Sequence, residues 1–147
     1  MYPYEEWLGV PHTTERTFHE LMTPGGFHAF DHRWSVHKAF EFQMEIGRDR
    51  VHQRTTELNT RLKNSVEEMD GVELLTPLDP SLSAGINCFI VGKLPATEVV
   101  KRMHAKHVIA SASPYLVSYP RLTPCVINTE DEVDQSLQAL KEVSLNG

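Results

Sequence analysis

An α/β sandwich is the fold that this sequence predicts: helices on one face of a small, mostly antiparallel sheet, preceded by a long helix. Three observations carry it. Helix-like and strand-like stretches follow one another as helix, strand, strand, helix, strand, strand, helix, and gathering the helices on one sheet face is the simplest way to bury that pattern. Val51, Leu58, Leu62, Val66 and Met69 recur at spacings of sevens, fours and threes, the apolar stripe of a docked helix. Thr129 and Glu132 have the spacing of a capping box, which starts a final helix.

The elements follow in order. Residues 1 to 30 show no sustained period; Pro3, Pro11, Pro24 and Gly25-Gly26 punctuate them, with Trp7, Phe18 and Phe27 between. Such a stretch reads as an irregular segment that leans on something else and exposes those aromatics without it, which predicts association. Residues 31 to 147 form the small domain. Asp31 is the expected N-cap of the long helix, with Trp34, Ala39, Phe42 and Ile46 on roughly one face. Gly47 interrupts, yet charges continue on both sides and no proline follows, so the helix resumes with a kink through Met69. Burying the five side chains of its stripe contributes roughly 1.5–3 kcal/mol apiece before entropy is subtracted. Asp70-Gly71 stops it.

Val72 to Thr76 and Ile86 to Val91 read as strands, separated by Pro77 and Pro80. A turn from Gly92 to Pro95 leads into a helix with Val99, Val100 and Met103 inward. Val108-Ile109-Ala110 is the third strand, residues 111 to 120 a loop, and residues 121 to 127 the fourth strand, interrupted by Pro124. The last helix runs from about 130 to 143 and buries Val133, Leu137 and Leu140.

Composition bounds the function. A chain of 147 residues is one domain, or one domain with a tail. A net charge of −6 and a pI near 5.7 argue against nucleic acid, which demands a basic face. No apolar run approaches membrane-spanning length. The opening Met-Tyr-Pro-Tyr-Glu-Glu-Trp lacks the basic start and apolar core of a secretory leader. Cys88 and Cys125 fall in separate predicted strands, as reduced, buried thiols of a cytoplasmic protein would.

Arg121 stands out, placed at the start of an apolar strand. A guanidinium cannot shed its charge there and needs an anionic partner, either a structural carboxylate or a ligand's. Two histidine pairs, His28 with His32 and His104 with His107, lack the three or four converging ligands of a zinc site, so no metal is expected. No Ser-His-Asp or paired-carboxylate arrangement stands out. Tyr115 and Tyr119 have no activating context and read as packing residues. No catalytic residue is assigned.

Seven segments, in order, carry a resemblance. They are Gly25-Gly-Phe-His-Ala-Phe-Asp-His-Arg-Trp34, Ile46-Gly-Arg-Asp-Arg-Val, Arg54-Thr-Thr-Glu-Leu, Val72-Glu-Leu-Leu-Thr-Pro77, Ser83-Ala-Gly-Ile-Asn-Cys-Phe89, Arg121-Leu-Thr-Pro and Asn128-Thr-Glu-Asp-Glu-Val. Together they resemble the C-terminal small domain of the class V aminotransferases, pyridoxal-phosphate enzymes of fold type I, over roughly residues 20 to 143. The Gly-Phe-His loop and Ser113-Pro-Tyr115 bring the resemblance nearest to isopenicillin N epimerase-like proteins.

The resemblance implies chemistry at the α-carbon of an amino acid, by transamination, epimerisation or elimination, with pyridoxal phosphate as electron sink. It implies that Arg121 receives the substrate's α-carboxylate, which a planar fork matches with two bonds. It implies that the loop of Gly26, Phe27 and His28 helps hold the cofactor phosphate of a neighbouring subunit in a homodimer. Phe27 stands where the family often has a hydroxyl residue, leaving backbone N–H groups and His28 for that role. Residues 1 to 30 would lie over a large domain and the dimer interface. The family's cofactor lysine lies upstream on that large domain. None of the six lysines here, Lys38, Lys63, Lys93, Lys101, Lys106 and Lys141, matches it. The chain thus resembles the C-terminal part of an enzyme, expected to be inactive alone. The family's desulfurases often carry a nucleophilic cysteine in the loop equivalent to 111–120, and its absence here argues against desulfuration. The rival expectation is a free-standing, non-enzymatic module for ligand binding or dimerisation.

Overall fold

The computed structural model describes residues 30–145, with side chains from Ser35 onward. The chain divides into two compact units, Met1–Arg48 with Pro114–Leu116, and Asp49–Ser113 with Val117–Gly147. In the first, the described helix is α1 (Phe30–Ile46). Asp31 therefore lies inside a helix rather than capping it. Val36, Phe40, Phe42 and Met44 of α1 are all exposed. The irregular segment expected over residues 1 to 30 lies almost wholly outside the described residues, with Trp7, Phe18 and Phe27.

Gly47 ends α1 at φ 94, donating its N–H to the Gln43 carbonyl at 3.0 Å. Glycine adopts that backbone at no steric cost, so the kinked helix expected from the sequence is instead two helices. The next, α2, spans Arg48–Glu67. The stripe read from the sequence holds at its centre: Leu58, Leu62 and Val66 are buried, and Met69 packs at the margin of the core.

The sheet has strands β1 (Val72–Leu74), β2 (Asn87–Val91), β3 (Ser111–Ala112) and β4 (Pro120–Leu122). Their order is β1-β2-β4-β3, and every neighbouring pair is antiparallel. Helix α3 (Ala96–Ala105) connects β2 to β3, and α4 (Glu130–Leu145) follows β4. Phe89, Val91 and Leu122 face inward and form one core with Leu58, Leu62 and Val66 of α2, Val99 and Met103 of α3, and Val133, Leu140 and Val143 of α4. The predicted fold class, helices on one face of an antiparallel sheet, is the observed one.

Two strands differ from expectation, each for a visible reason. The third was placed at Val108–Ala110 and forms at Ser111–Ala112. His107, at φ 62, takes the left-handed position after α3. His107 donates its N–H to the His104 carbonyl and Val108 donates to the Met103 carbonyl, at 2.9 and 3.0 Å. This is a Schellman closure with histidine in place of the usual glycine. It takes up the Val108 N–H that a ladder would need. The fourth strand was drawn to Ile127 and ends at Leu122. Pro124 has no N–H to give, and Cys125 N–H goes to Asn128 Oδ1 at 3.0 Å while Asn128 N–H returns to the Cys125 carbonyl at 2.9 Å. The chain turns there. Cys125 is consequently exposed, not a core thiol, and Cys88 is half-buried.

The capping box forms as read. Glu132 N–H donates to Thr129 Oγ1 at 3.2 Å, and Thr129 N–H donates to Glu132 Oε2 at 2.9 Å. The Thr129 N–H, followed by the Asn128 amide, holds the Glu132 carboxyl below the usual glutamate range. A depressed folded-state pKa means stability that is present above the unfolded value and lost as pH falls through the folded one. Thr129→Ala is expected to cost about 1 kcal/mol. Glu132→Gln, which removes the titrating carboxyl, should show a smaller stability loss than the parent between neutral pH and the acid range. Urea midpoints at the two pH values check both.

Lys63 is fully buried in α2, with 1% of its surface exposed. Its ammonium donates to the Pro77 and Leu78 carbonyls, at 3.0 and 2.9 Å, and to Ser83 Oγ at 2.7 Å. All three protons of the group are matched, and the β1–β2 connection is fastened to the helix layer.

Candidate functional site

Side chains alternate across a strand, so the sheet has a second, more open face. On β4, Pro120 and Leu122 point inward and are buried, while Arg121 points outward and is half-buried. Arg121 stands level with Cys88 of β2 on one side and Ser111 of β3 on the other. Its Nε donates to Ser111 Oγ at 2.8 Å. Among the described residues that is the only hydrogen bond its side chain makes, and none of the ion pairs includes it. The structural carboxylate left open by the sequence is therefore not found among the described residues.

Buried amides hold the backbone that follows this arginine. Asn87 Nδ2 donates to the Leu122 carbonyl at 3.2 Å and to Asn59 Oδ1. Asn59 Nδ2 donates to the Pro124 carbonyl at 2.9 Å and to the Thr55 carbonyl at 2.7 Å. The chain leaving β4 is thus gripped at two carbonyls by side chains of α2 and β2. Gly85 lies against this grip, where a Cβ would stand 3.3 Å from Thr55 Cγ2. On the other side of Arg121, Ser113 N–H donates to the Tyr119 carbonyl at 2.8 Å, and Tyr119 N–H donates to Ser113 Oγ at 2.8 Å. These bonds fix the register in which Ser111 faces Arg121. Sequence reading missed Asn59, Asn87 and Ser111. The available signal was the placement of Asn59 and Lys63, four residues apart, against the buried stripe of α2.

The other expected residues are scattered. Gly26, Phe27 and His28 lie outside the described residues. Tyr115 is exposed and Tyr119 half-buried. His104 Nε2 donates to the Ala110 carbonyl at 2.9 Å. No group of three or more His, Cys, Asp or Glu among the described residues is arranged to hold a metal ion. No helix of the described residues is long and apolar enough to cross a membrane. A cavity of about 300 Å³ lies on the helical side of β4, lined by Leu62, Ile109, Leu122, Pro124, Glu132 and Gln135 among others. Arg121 is not part of it, and Glu132 there is taken up in capping α4.

The lysines decide what cofactor chemistry the chain can hold. Lys63 is enclosed by its three acceptors. Lys38 pairs with Glu41 on the surface of α1, and Lys106 with Glu142. Lys93, Lys101 and Lys141 are exposed. None stands in a pocket where it would hold an aldehyde, so these residues do not fit covalent attachment of pyridoxal phosphate.

Comparison with known proteins gives this geometry a context. No family model matches the chain. Isopenicillin N epimerase from Amycolatopsis lactamdurans is 29% identical over 115 residues, which cover 75% of this chain and 28% of that protein. A cysteine desulfurase from Thermococcus onnurineus superposes with a TM-score of 0.67 at 19% identity, over 73% of this chain and 29% of its own. The cysteine desulfurase CsdA from Escherichia coli superposes with a TM-score of 0.67 at 13% identity, over 90% of this chain and 36% of its own. The chain has the fold of the C-terminal part of class V aminotransferases. The resemblance read from the sequence and the superpositions agree. This chain spans only about 28% of the length of its curated class V relative. The likeness of this chain to those cysteine desulfurases is one of fold.

Proposed function

We propose that this chain is the substrate-carboxylate-binding small domain, residues 31 to 147, of a cytoplasmic, homodimeric class V enzyme. That enzyme uses pyridoxal phosphate and acts at the α-carbon of an amino acid. The observation that supports this reading most is Arg121: a permanent cation on the open sheet face, ordered by Ser111, with no acidic partner among the described residues. A substrate α-carboxylate supplies the anion that a half-buried guanidinium lacks. The part of this chain in the reaction is to bind and orient that carboxylate. Covalent attachment of the cofactor belongs to a lysine outside this chain. Transamination or epimerisation fits better than desulfuration, because residues 111–120 hold no cysteine. The loop of Gly26, Phe27 and His28 is assigned to the phosphate of the neighbouring subunit's cofactor. The rival reading, a free-standing module, draws on the completeness of the core among residues 58 to 143.

Visible absorbance tests the assignment. Pyridoxal phosphate added to this chain should give no stoichiometric protein-bound band. A polypeptide that also carries the large domain should show one, and should respond to amino acids through Arg121. A stoichiometric band from this chain alone, abolished by substituting one of its six lysines, would overturn the reading.

A further inference from the structure

A guanidinium offers two bidentate edges: a lateral one made by Nε and one Nη, and a terminal one made by both Nη groups. In Arg121 the lateral edge is engaged, because Nε donates to Ser111 Oγ at 2.8 Å. The terminal edge makes no hydrogen bond among the described residues. The contact is set by the sheet itself. Ser111 and Arg121 are register partners on β3 and β4, Ala112 and Pro120 pair beside them, and the Ser113–Tyr119 bonds close the next position. From this we infer that Ser111 is a positioning residue, whose hydroxyl fixes the plane of Arg121 and directs its terminal edge at a planar carboxylate. The inference rests on the reading of Arg121 as the carboxylate receptor. It adds the binding mode: end-on through both Nη groups, with Nε withheld from the ligand. Holding the fork in one orientation before the ligand arrives removes part of the ordering cost of binding.

Two measurements test it. In this chain alone, the Arg121 Nε–H should exchange with solvent more slowly than the side-chain N–H of exposed arginines, by nitrogen-resolved NMR. Ser111→Ala should abolish that protection and Ser111→Thr, which keeps the hydroxyl, should retain it. In the complete enzyme, Ser111→Ala should raise KM for the amino acid about three- to tenfold, the scale of one hydrogen bond's net contribution. The kcat should stay within about twofold, since the chemical groups are untouched. Ser111→Thr should restore KM. In an Arg121→Lys background, Ser111→Ala should add nothing, because a lysine has no Nε–H to orient and the two effects are coupled. An unchanged KM in Ser111→Ala, or an additive effect in the Arg121→Lys background, overturns the inference while leaving the carboxylate role of Arg121 standing. Unaltered kinetics in Arg121→Ala would overturn both.

Discussion

In the complete enzyme, Arg121→Ala is expected to reduce capture of the amino-acid substrate by a factor of about thirty to several thousand. Removing one member of a charge pair that is closed off from water in the bound state typically costs about 2–5 kcal/mol, at about 1.4 kcal/mol per tenfold. The loss should appear in kcat/KM. Arg121→Lys should recover only part of it, because a point-like ammonium cannot make two parallel bonds to a carboxylate. The visible spectrum of the bound cofactor should survive in both variants, since this chain does not attach it. If Arg121→Ala instead leaves kcat/KM intact and lowers the Tm, the arginine is structural and the proposed function fails.

The second large effect concerns stability. Lys63→Met should destabilise the unit of Asp49–Ser113 and Val117–Gly147 by about 2–4 kcal/mol, because hydrogen bonds to a charged group contribute more than neutral ones, the Leu78 carbonyl loses its donor and the Pro77 carbonyl keeps only Ser83 Oγ. Methionine preserves most of the side-chain volume, so the loss comes from the ammonium and not from a void. Lys63→Ala should cost more, since it adds a cavity next to Leu62 and Val66. Urea unfolding measures both, and amide exchange over residues 77–83 should rise locally in Lys63→Met. A Lys63→Met protein as stable as its parent would mean that desolvating the ammonium outweighs its three bonds.

How much of this was legible beforehand differs from element to element. The stripe on α2, the inward face of α3 and the capping box of α4 were readable, because each is a local pattern that tertiary contacts reinforce. The class of fold followed from their order. β3 was misplaced because it is defined by two pairings with β4, not by any apolar run, and because the closure of α3 passes through His107, a residue that does not advertise a left-handed backbone. The end of β4 was misplaced because Val126 and Ile127 look like strand residues, whereas Asn128 competes for the backbone of Cys125. Arg121 was conspicuous as a charge in an apolar stretch. Ser111, Asn59 and Asn87 were not, since their contacts arise from register and helix docking across ten, sixty-five and thirty-five positions. Polar residues on a helix or a loop read as solvent-facing until the fold shows otherwise.

The margins of the sheet carry a last consequence. Its two edge strands are β1, three residues long, and β3, only two. Each presents too few unpaired backbone groups to template a visiting strand, a common natural safeguard against edge-to-edge aggregation. Among the described residues, strand addition, in which a partner's main chain extends the ladder, finds little backbone to pair with at either margin. At these margins recognition falls to side chains, and misassembly into longer ribbons has little runway from which to start.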